Sequence, residues 1–115
     1  MDPKLRDEIA QLHAQFCRGL SDPTRIMIVY LLTQEAHNVN ELVEQLDLPQ
    51  PTVSRHLKIL RDRGIVIAKR EGQCVEYHLS DPRITDALNL LRSIMADQLT
   101  SKGNLAQSVT EMSNL

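Results

Sequence analysis

The stretch Pro49-Gln50-Pro51-Thr52-Val53-Ser54-Arg55-His56-Leu57-Lys58-Ile59-Leu60-Arg61 decides the fold. Helical spacing sets Val53, Leu57 and Leu60 on one inward side. The opposite side carries Thr52, Arg55 and Lys58, with Ser54 on the flank. Just upstream, Asn38-Val39-Asn40-Glu41 has the spacing of a capping box. It opens a short helix that turns Leu42, Val43 and Leu46 inward. Asp47 to Gln50 is the turn between the two. Pro51 disfavours helical angles at Gln50, so the second helix is expected to start at Pro51 with Gln50 as its cap. Two short helices joined by a tight turn make a helix-turn-helix.

Working outward, the period changes from 3.6 to 2 after Gly64. Ile65 to Arg70 reads as a strand, Glu71-Gly72-Gln73 as a turn, and Cys74 to Leu79 as the return strand. Val75, Tyr77 and Leu79 point one way, and Cys74, Glu76 and His78 the other. A hairpin in this place is a wing. On the N-terminal side, Leu5, Ile9, Leu12 and Phe16 form one apolar stripe on a helix over 3–19, which Gly19 is expected to stop. Asp22-Pro23 is an N-cap followed by proline at the first helical position. It opens a helix over 23–34 that is apolar on nearly all sides and is expected to be central and buried. After Ser80-Asp81-Pro82 a last helix over 83–100 carries Ile84, Ala87, Leu88, Leu90, Leu91, Ile94, Met95 and Leu99, too wide a face for one interface. With the first helix, that face predicts a homodimer surface, the alternative being that a small core uses all of it. Residues 101–115 are polar, lack a period and are expected to be a disordered tail. The expected fold is mainly α with a small β-hairpin wing, in the order α1-α2-α3-α4-β1-β2-α5, as one domain over 1–100.

Composition agrees with this size of fold. The 115 residues suit a single core. With no tryptophan, one phenylalanine and two tyrosines, that core must be aliphatic. The longest apolar run, Ile26 to Leu32, is far shorter than the roughly 18–20 residues that cross a bilayer. The N-terminus has no secretory pattern, and two cysteines make no disulfide framework, so a reducing, cytoplasmic setting is expected. The net charge of −2 argues against a general polyanion binder. Between Gln50 and Leu79, however, six basic residues (Arg55, Lys58, Arg61, Arg63, Lys69, Arg70) meet three acids (Asp62, Glu71, Glu76). Positive charge is therefore concentrated on the helix-turn-helix and wing, which is compatible with nucleic-acid contact and, on charge alone, equally with a solvated face. None of the four glycines sits in a G-x-G-x-x-G pattern, and neither H-E-x-x-H nor G-x-S-x-G occurs, so no enzyme is expected.

Side chains such as Thr52, Ser54, Arg55 and Lys58 suit a major groove. Arginine pairs with guanine O6 and N7, hydroxyls bond bases or phosphates, and lysine neutralises phosphate. Lys69, Arg70 and Gln73 on the wing would reach an adjacent groove or backbone. Leu20-Ser21-Asp22-Pro23-Thr24-Arg25, Pro51-Thr52-Val53-Ser54-Arg55-His56-Leu57, Leu60-Arg61-Asp62-Arg63-Gly64 and Arg70-Glu71-Gly72-Gln73 resemble the ArsR/SmtB-type repressors. The resemblance runs in register from about residue 5 to residue 100. It implies a winged helix dimerised through its first and last helices, bound to a palindromic operator and released by a metal ion, metalloid or oxidant. It implies that Gln50, Thr52, Ser54 and Arg55 read DNA, with Lys69, Arg70 and Gln73 in the wing. Two prolines bracket Gln50 where many members have serine and a small polar residue, which makes Gln50 a weaker reader than its neighbours. The alternative is a winged helix that binds another protein; the basic helix-turn-helix argues against it.

The effector is less legible. Metal sensors of this family carry Cys-x-Cys where this chain has His37-Asn38-Val39-Asn40-Glu41-Leu42, and the thiolates are absent. A second family site needs Asp and His on the last helix, which has Asp86 and Asp97 but no histidine over 83–100. No cofactor is required by this reading. His13 and Cys17, four apart on one helix face, could supply half of a metal site, or be ordinary packing residues. Cys74, on the wing near Lys69 and Arg70, is the candidate for oxidation, set against an incidental exposed thiol. A Cys17–Cys74 disulfide within one subunit is not expected. His56 reads as a packed, hydrogen-bonded histidine, and His78 lies too far along the strand from Cys74 to share a metal.

Overall fold

The computed structural model describes the backbone of residues 1–113 and the side chains of residues 1–103. The chain divides into two compact units, Met1–Pro82 and Arg83–Leu115. The first unit holds α1 (Pro3–Leu12), continued by a π-helical turn at His13–Cys17, then α2 (Pro23–Gln34), α3 (Val39–Leu46), α4 (Gln50–Asp62) and the antiparallel strands β1 (Val66–Glu71) and β2 (Cys74–Leu79). The second unit is α5 (Arg83–Ser113).

Each helix starts where its capping chemistry allows. The Asp22 carboxylate accepts from the Thr24 amide at 2.8 Å, with Pro23 just inside α2. Asn38 and Glu41 form the expected reciprocal box at the start of α3. The Glu41 amide donates to Asn38 Oδ1 at 2.8 Å, and the Asn38 amide donates to Glu41 Oε1 at 3.0 Å. Asp47 ends α3 in the left-handed region (φ 53°), a conformation that aspartate tolerates better than most residues. Helix α4 starts one residue earlier than expected, with Pro49 as N-cap and Gln50 already helical. The Pro49 carbonyl accepts from the amides of Thr52 and Val53, and Pro51 lies in the first turn, where its missing N–H leaves nothing unsatisfied. The other end of α4 is a Schellman closure. Gly64 sits at φ 73°, its amide bonds Arg61 O, and the Ile65 amide bonds Leu60 O at 2.9 Å. Ile65 therefore belongs to the helix cap, and β1 starts at Val66.

The core is aliphatic. Ile28, Val29, Leu42, Val53, Leu57, Leu60, Ile65 and Val66 are almost completely buried, and α2 packs against α3, α4 and β2. Helix α2 is central as expected, although Met27 faces solvent. The hairpin turn is Gly72-Gln73, with Glu71 paired to Cys74 at the strand ends. Gly72 has φ 64°, at the first of the two loop residues. A backbone bridge from His37 to Tyr77 pins β2 to the segment before α3, a third extended piece that periodicity did not reveal.

The first helical segment ends at Gly19, as expected, and a Cβ there would run into the Ile65 side chain. The first helix buries none of the α1 stripe, and Leu5, Ile9 and Leu12 are all exposed. Helix α5 continues through Ser113, so the tail expected at 101–115 is helical that far; its last two residues lie outside the described residues.

Candidate nucleic-acid interface

Helix α4 is two-sided. Val53, His56, Leu57 and Leu60 are buried, while Gln50, Arg55, Lys58 and Arg61 are exposed and Thr52 and Ser54 are half-buried. The division follows from the 3.6-residue period, and it leaves a continuous polar face. The Gln50 amide nitrogen lies 3.0 Å from Ser54 Oγ, one turn apart. Gln50 is therefore held along the same face as Ser54, although proline flanks it on both sides. Lys58 is 3.0 Å from Asp62, in an exposed pair one turn apart that salt and water screen. Arg55 has no intramolecular partner among the described residues, so its guanidinium is available to a ligand.

The wing places its basic residues on both faces. Lys69 pairs with Glu76 and Arg70 with Val75, so these two cations point to opposite sides of the hairpin. Lys69, Arg70 and Gln73 are exposed. The register corrects the expected setting of Cys74. Its cross-strand neighbour is the Glu71 carboxylate, Lys69 is one pair further along the same face, and Arg70 is on the other face. The cross-strand partner of Cys74 is thus a carboxylate, where the sequence suggested adjacent cations. Cys17 and Cys74 are both free and exposed. His13 and Cys17 bracket the π-helical turn, both in solvent. Among the described residues, no cluster of three or more histidine, cysteine, aspartate or glutamate side chains could hold a metal ion. His13 and Cys17 lack a third donor among this chain's described residues.

Behind the polar face lies a pair that sequence reasoning saw only in half. Arg25 of α2 is 8% exposed and His56 of α4 is 6% exposed. Arg25 Nη1 donates to His56 Nδ1 at 3.1 Å, and its Nε donates to Gly19 O at 2.8 Å. Its Nη2 donates to Ser21 Oγ at 3.1 Å and to Arg18 O at 3.3 Å. A guanidinium has no acceptor, so His56 Nδ1 is the bare nitrogen and the ring is neutral, with its proton on Nε2. Burial lowers the His56 pKa below the usual imidazole value. Asp22 opposes this, and the cations of Arg25 and Arg55 add to it. His56 was expected to be packed and bonded; its partner was not named. The available signal was a lone arginine at the start of an otherwise apolar helix. A second arginine, Arg63 at the end of α4, donates to Ala14 O in the π-helical turn at 2.8 Å.

No helix among the described residues is long and apolar enough to cross a membrane. A family profile for bacterial regulatory proteins of the arsR family matches residues 22–68, which run from the cap of α2 into β1. The chain is 39% identical over 84 residues to a probable mercury resistance operon repressor of Streptomyces lividans, spanning 73% of this chain and 67% of that one. It is 45% identical over 74 residues to the transcriptional repressor SmtB of Mycobacterium tuberculosis, spanning 64% of this chain and 55% of that one. Among solved structures, it superposes on the transcriptional repressor BigR from Xylella fastidiosa with a TM-score of 0.68 at 32% identity, over 82% of this chain and 96% of that one.

Proposed function

This chain belongs to the ArsR family of winged-helix transcriptional regulators, and we propose that it is a homodimeric repressor that reads a palindromic operator through α4 and is released by an effector. The observation that carries the reading is the two-sided α4. Its inner side is locked into the core, while Gln50, Thr52, Ser54 and Arg55 line the free polar side. Thr52, Ser54 and Arg55 read bases, and Gln50, held by Ser54, supports them. Lys58, Lys69, Arg70 and Gln73 contact phosphate or a neighbouring groove.

Dimerisation is supported by apolar side chains that each unit leaves in water. In the first unit these are Leu5, Ile9 and Leu12; in the second, Leu90, Leu91, Ile94, Met95 and Leu99. Exposed apolar surface of this extent on a small chain marks an interface. A two-fold dimer sets two α4 helices against two half-sites about 34–36 Å apart, and an effector that disfavours this spacing by a few kcal/mol releases the DNA. Cys17 and Cys74 are the thiols through which an oxidant would act, and His13 with Cys17 is the place a metal would take if the second subunit supplied the remaining donors.

The test is fluorescence anisotropy on DNA from upstream of the protein's own gene, with a random duplex as control, using reduced and peroxide-treated protein. Specific binding lost on oxidation supports the repressor and makes the thiols its sensor, with Cys17→Ser and Cys74→Ser separating them. Specific binding indifferent to oxidation keeps the repressor and moves the effector to metals. No preference over random DNA overturns the reading and favours a protein-binding winged helix.

A further inference from the structure

We infer that Arg25 is a positioning residue for DNA reading: its hydrogen bond to neutral His56 fixes α4 against the turn before α2, and protonation of His56 releases the helix and weakens operator binding. The inference rests on the DNA-binding reading above and adds a proton-sensitive step to it.

The geometry leaves the pair little freedom. Arg25 spends its donors on three groups at and just after the end of the first helix, at Arg18, Gly19 and Ser21, and on one group of α4. Its planar fork is therefore held from one side and aims a single N–H at His56 Nδ1. His56 follows Arg55 and lies one turn from Thr52, so its ring sits directly behind the proposed reading face. When Nδ1 gains a proton, the acceptor is lost and an N–H points at an N–H. Two cations then face each other in a buried site, where charge is poorly screened. Among the described residues, the charged groups bearing on the ring are Asp22 and Arg25 at the start of α2 and Arg55 on α4 itself. None comes from α3 or β1, which also pack against α4. Asp22 alone favours the charged ring, and its carboxylate is already engaged by the Thr24 amide. Arg25 cannot give up its proton, so the strain falls on the position of α4.

The sign separates this effect from general electrostatics. Acidification adds positive charge to any protein and ordinarily strengthens its hold on DNA. Here the expected change is the reverse.

The experiment measures operator affinity of the full chain by anisotropy between pH 7.5 and pH 5.5 at constant salt, with circular dichroism recorded at each pH to confirm the fold. Wild type is expected to bind roughly tenfold more weakly at pH 5.5, with each of the dimer's two His56 rings contributing about threefold. His56→Asn keeps an acceptor near the Nδ1 position and does not titrate. It is expected to bind like wild type at pH 7.5 and to lose the acid sensitivity. Nitrogen-15 NMR of the histidine rings in the free protein is a second readout, independent of any variant. It should show His56 as the Nε2–H tautomer, titrating over the range in which affinity falls. Affinity that is flat or rises on acidification overturns the inference while leaving the repressor intact. So does acid sensitivity that persists in His56→Asn, or an Nδ1–H tautomer. No operator preference at pH 7.5 overturns both readings together.

Discussion

Replacing Arg55 by alanine separates base reading from charge attraction. Arg55 is exposed and bonds no other described residue, so its loss removes nothing from the core and should change stability by no more than about 0.5 kcal/mol. Each base contact from a bidentate arginine is worth about 1–3 kcal/mol of discrimination. A dimer uses the residue twice, so Arg55→Ala should weaken operator binding by about 2–6 kcal/mol, or roughly 30-fold to 20,000-fold. The assay is anisotropy on the operator and on operators substituted at single base pairs, repeated over a salt series. If Arg55 reads a base, the variant should lose its preference at one symmetric pair of positions and keep most of its salt dependence. If Arg55 only neutralises phosphate, all duplexes weaken alike and the salt slope flattens by about 2, one unit per subunit. Unchanged affinity would refute the placement of the α4 face against DNA.

Four further outcomes follow from the geometry. Lys69→Glu should weaken specific and random duplexes alike and flatten the salt slope by at least about 2 per dimer; an unchanged slope would mean that the wing does not touch phosphate. Asp47→Val should destabilise the chain by about 1–2 kcal/mol in urea unfolding, because a β-branched residue cannot hold φ 53° without strain, whereas Asp47→Gly should be neutral or stabilising. Leu91→Glu and Ile94→Glu should shift sedimentation toward monomer at micromolar concentration if α5 contributes the interface, with circular dichroism unchanged because both side chains already lie in water. The Thr24 amide holds the Asp22 carboxyl below its usual pKa, with burial opposing and the charges of His56 and Arg25 assisting. Its stabilising share is therefore present above the unfolded carboxylate range and is lost as pH falls through the depressed value, so Asp22→Asn should flatten the acid limb of the stability curve.

Local chemistry made most of the fold legible. The Asn38–Glu41 box, the Asp22-Pro23 start and the change of period after Gly64 each depend on neighbouring residues; the first two appear where expected and the strand begins one residue later, at Val66. What stayed hidden was set at longer range. The start of α4 moved by one residue because Pro51 inside a first turn loses nothing, so the pre-proline preference of Gln50 was overruled. Gly19 ends the first helical segment as its stop signal predicted, while the close approach of Ile65, distant in sequence, was not legible. The neighbours of Cys74 depended on strand register, and a turn of two residues rather than three put Glu71 opposite it. The α4 face was visible in the spacing of Thr52, Arg55 and Lys58. Its support was not, because a buried arginine two helices away carries no periodic signal.

The two buried or half-buried arginines share one target. Arg25 donates to the carbonyls of Arg18 and Gly19, and Arg63 donates to Ala14 O. All three acceptors belong to the last two turns of the first helix. The π-helical turn there follows α1, which buries no side chain of its own. Hydrophobic packing is non-directional, so on its own it would fix the end of this helix only loosely. Charged, directional hydrogen bonds fix it to α2 and to the far end of α4, and Arg25 extends the link to the middle of α4 through His56. A displacement of the first helix therefore has two polar connections by which to reach the proposed reading helix. His13 and Cys17 bound the π-helical turn, whose Ala14 carbonyl Arg63 holds; the carbonyls that Arg25 holds, at Arg18 and Gly19, follow it. A ligand or oxidant proposed to act there would reach α4 most directly through Arg63, which joins the π-helical turn to that helix's end.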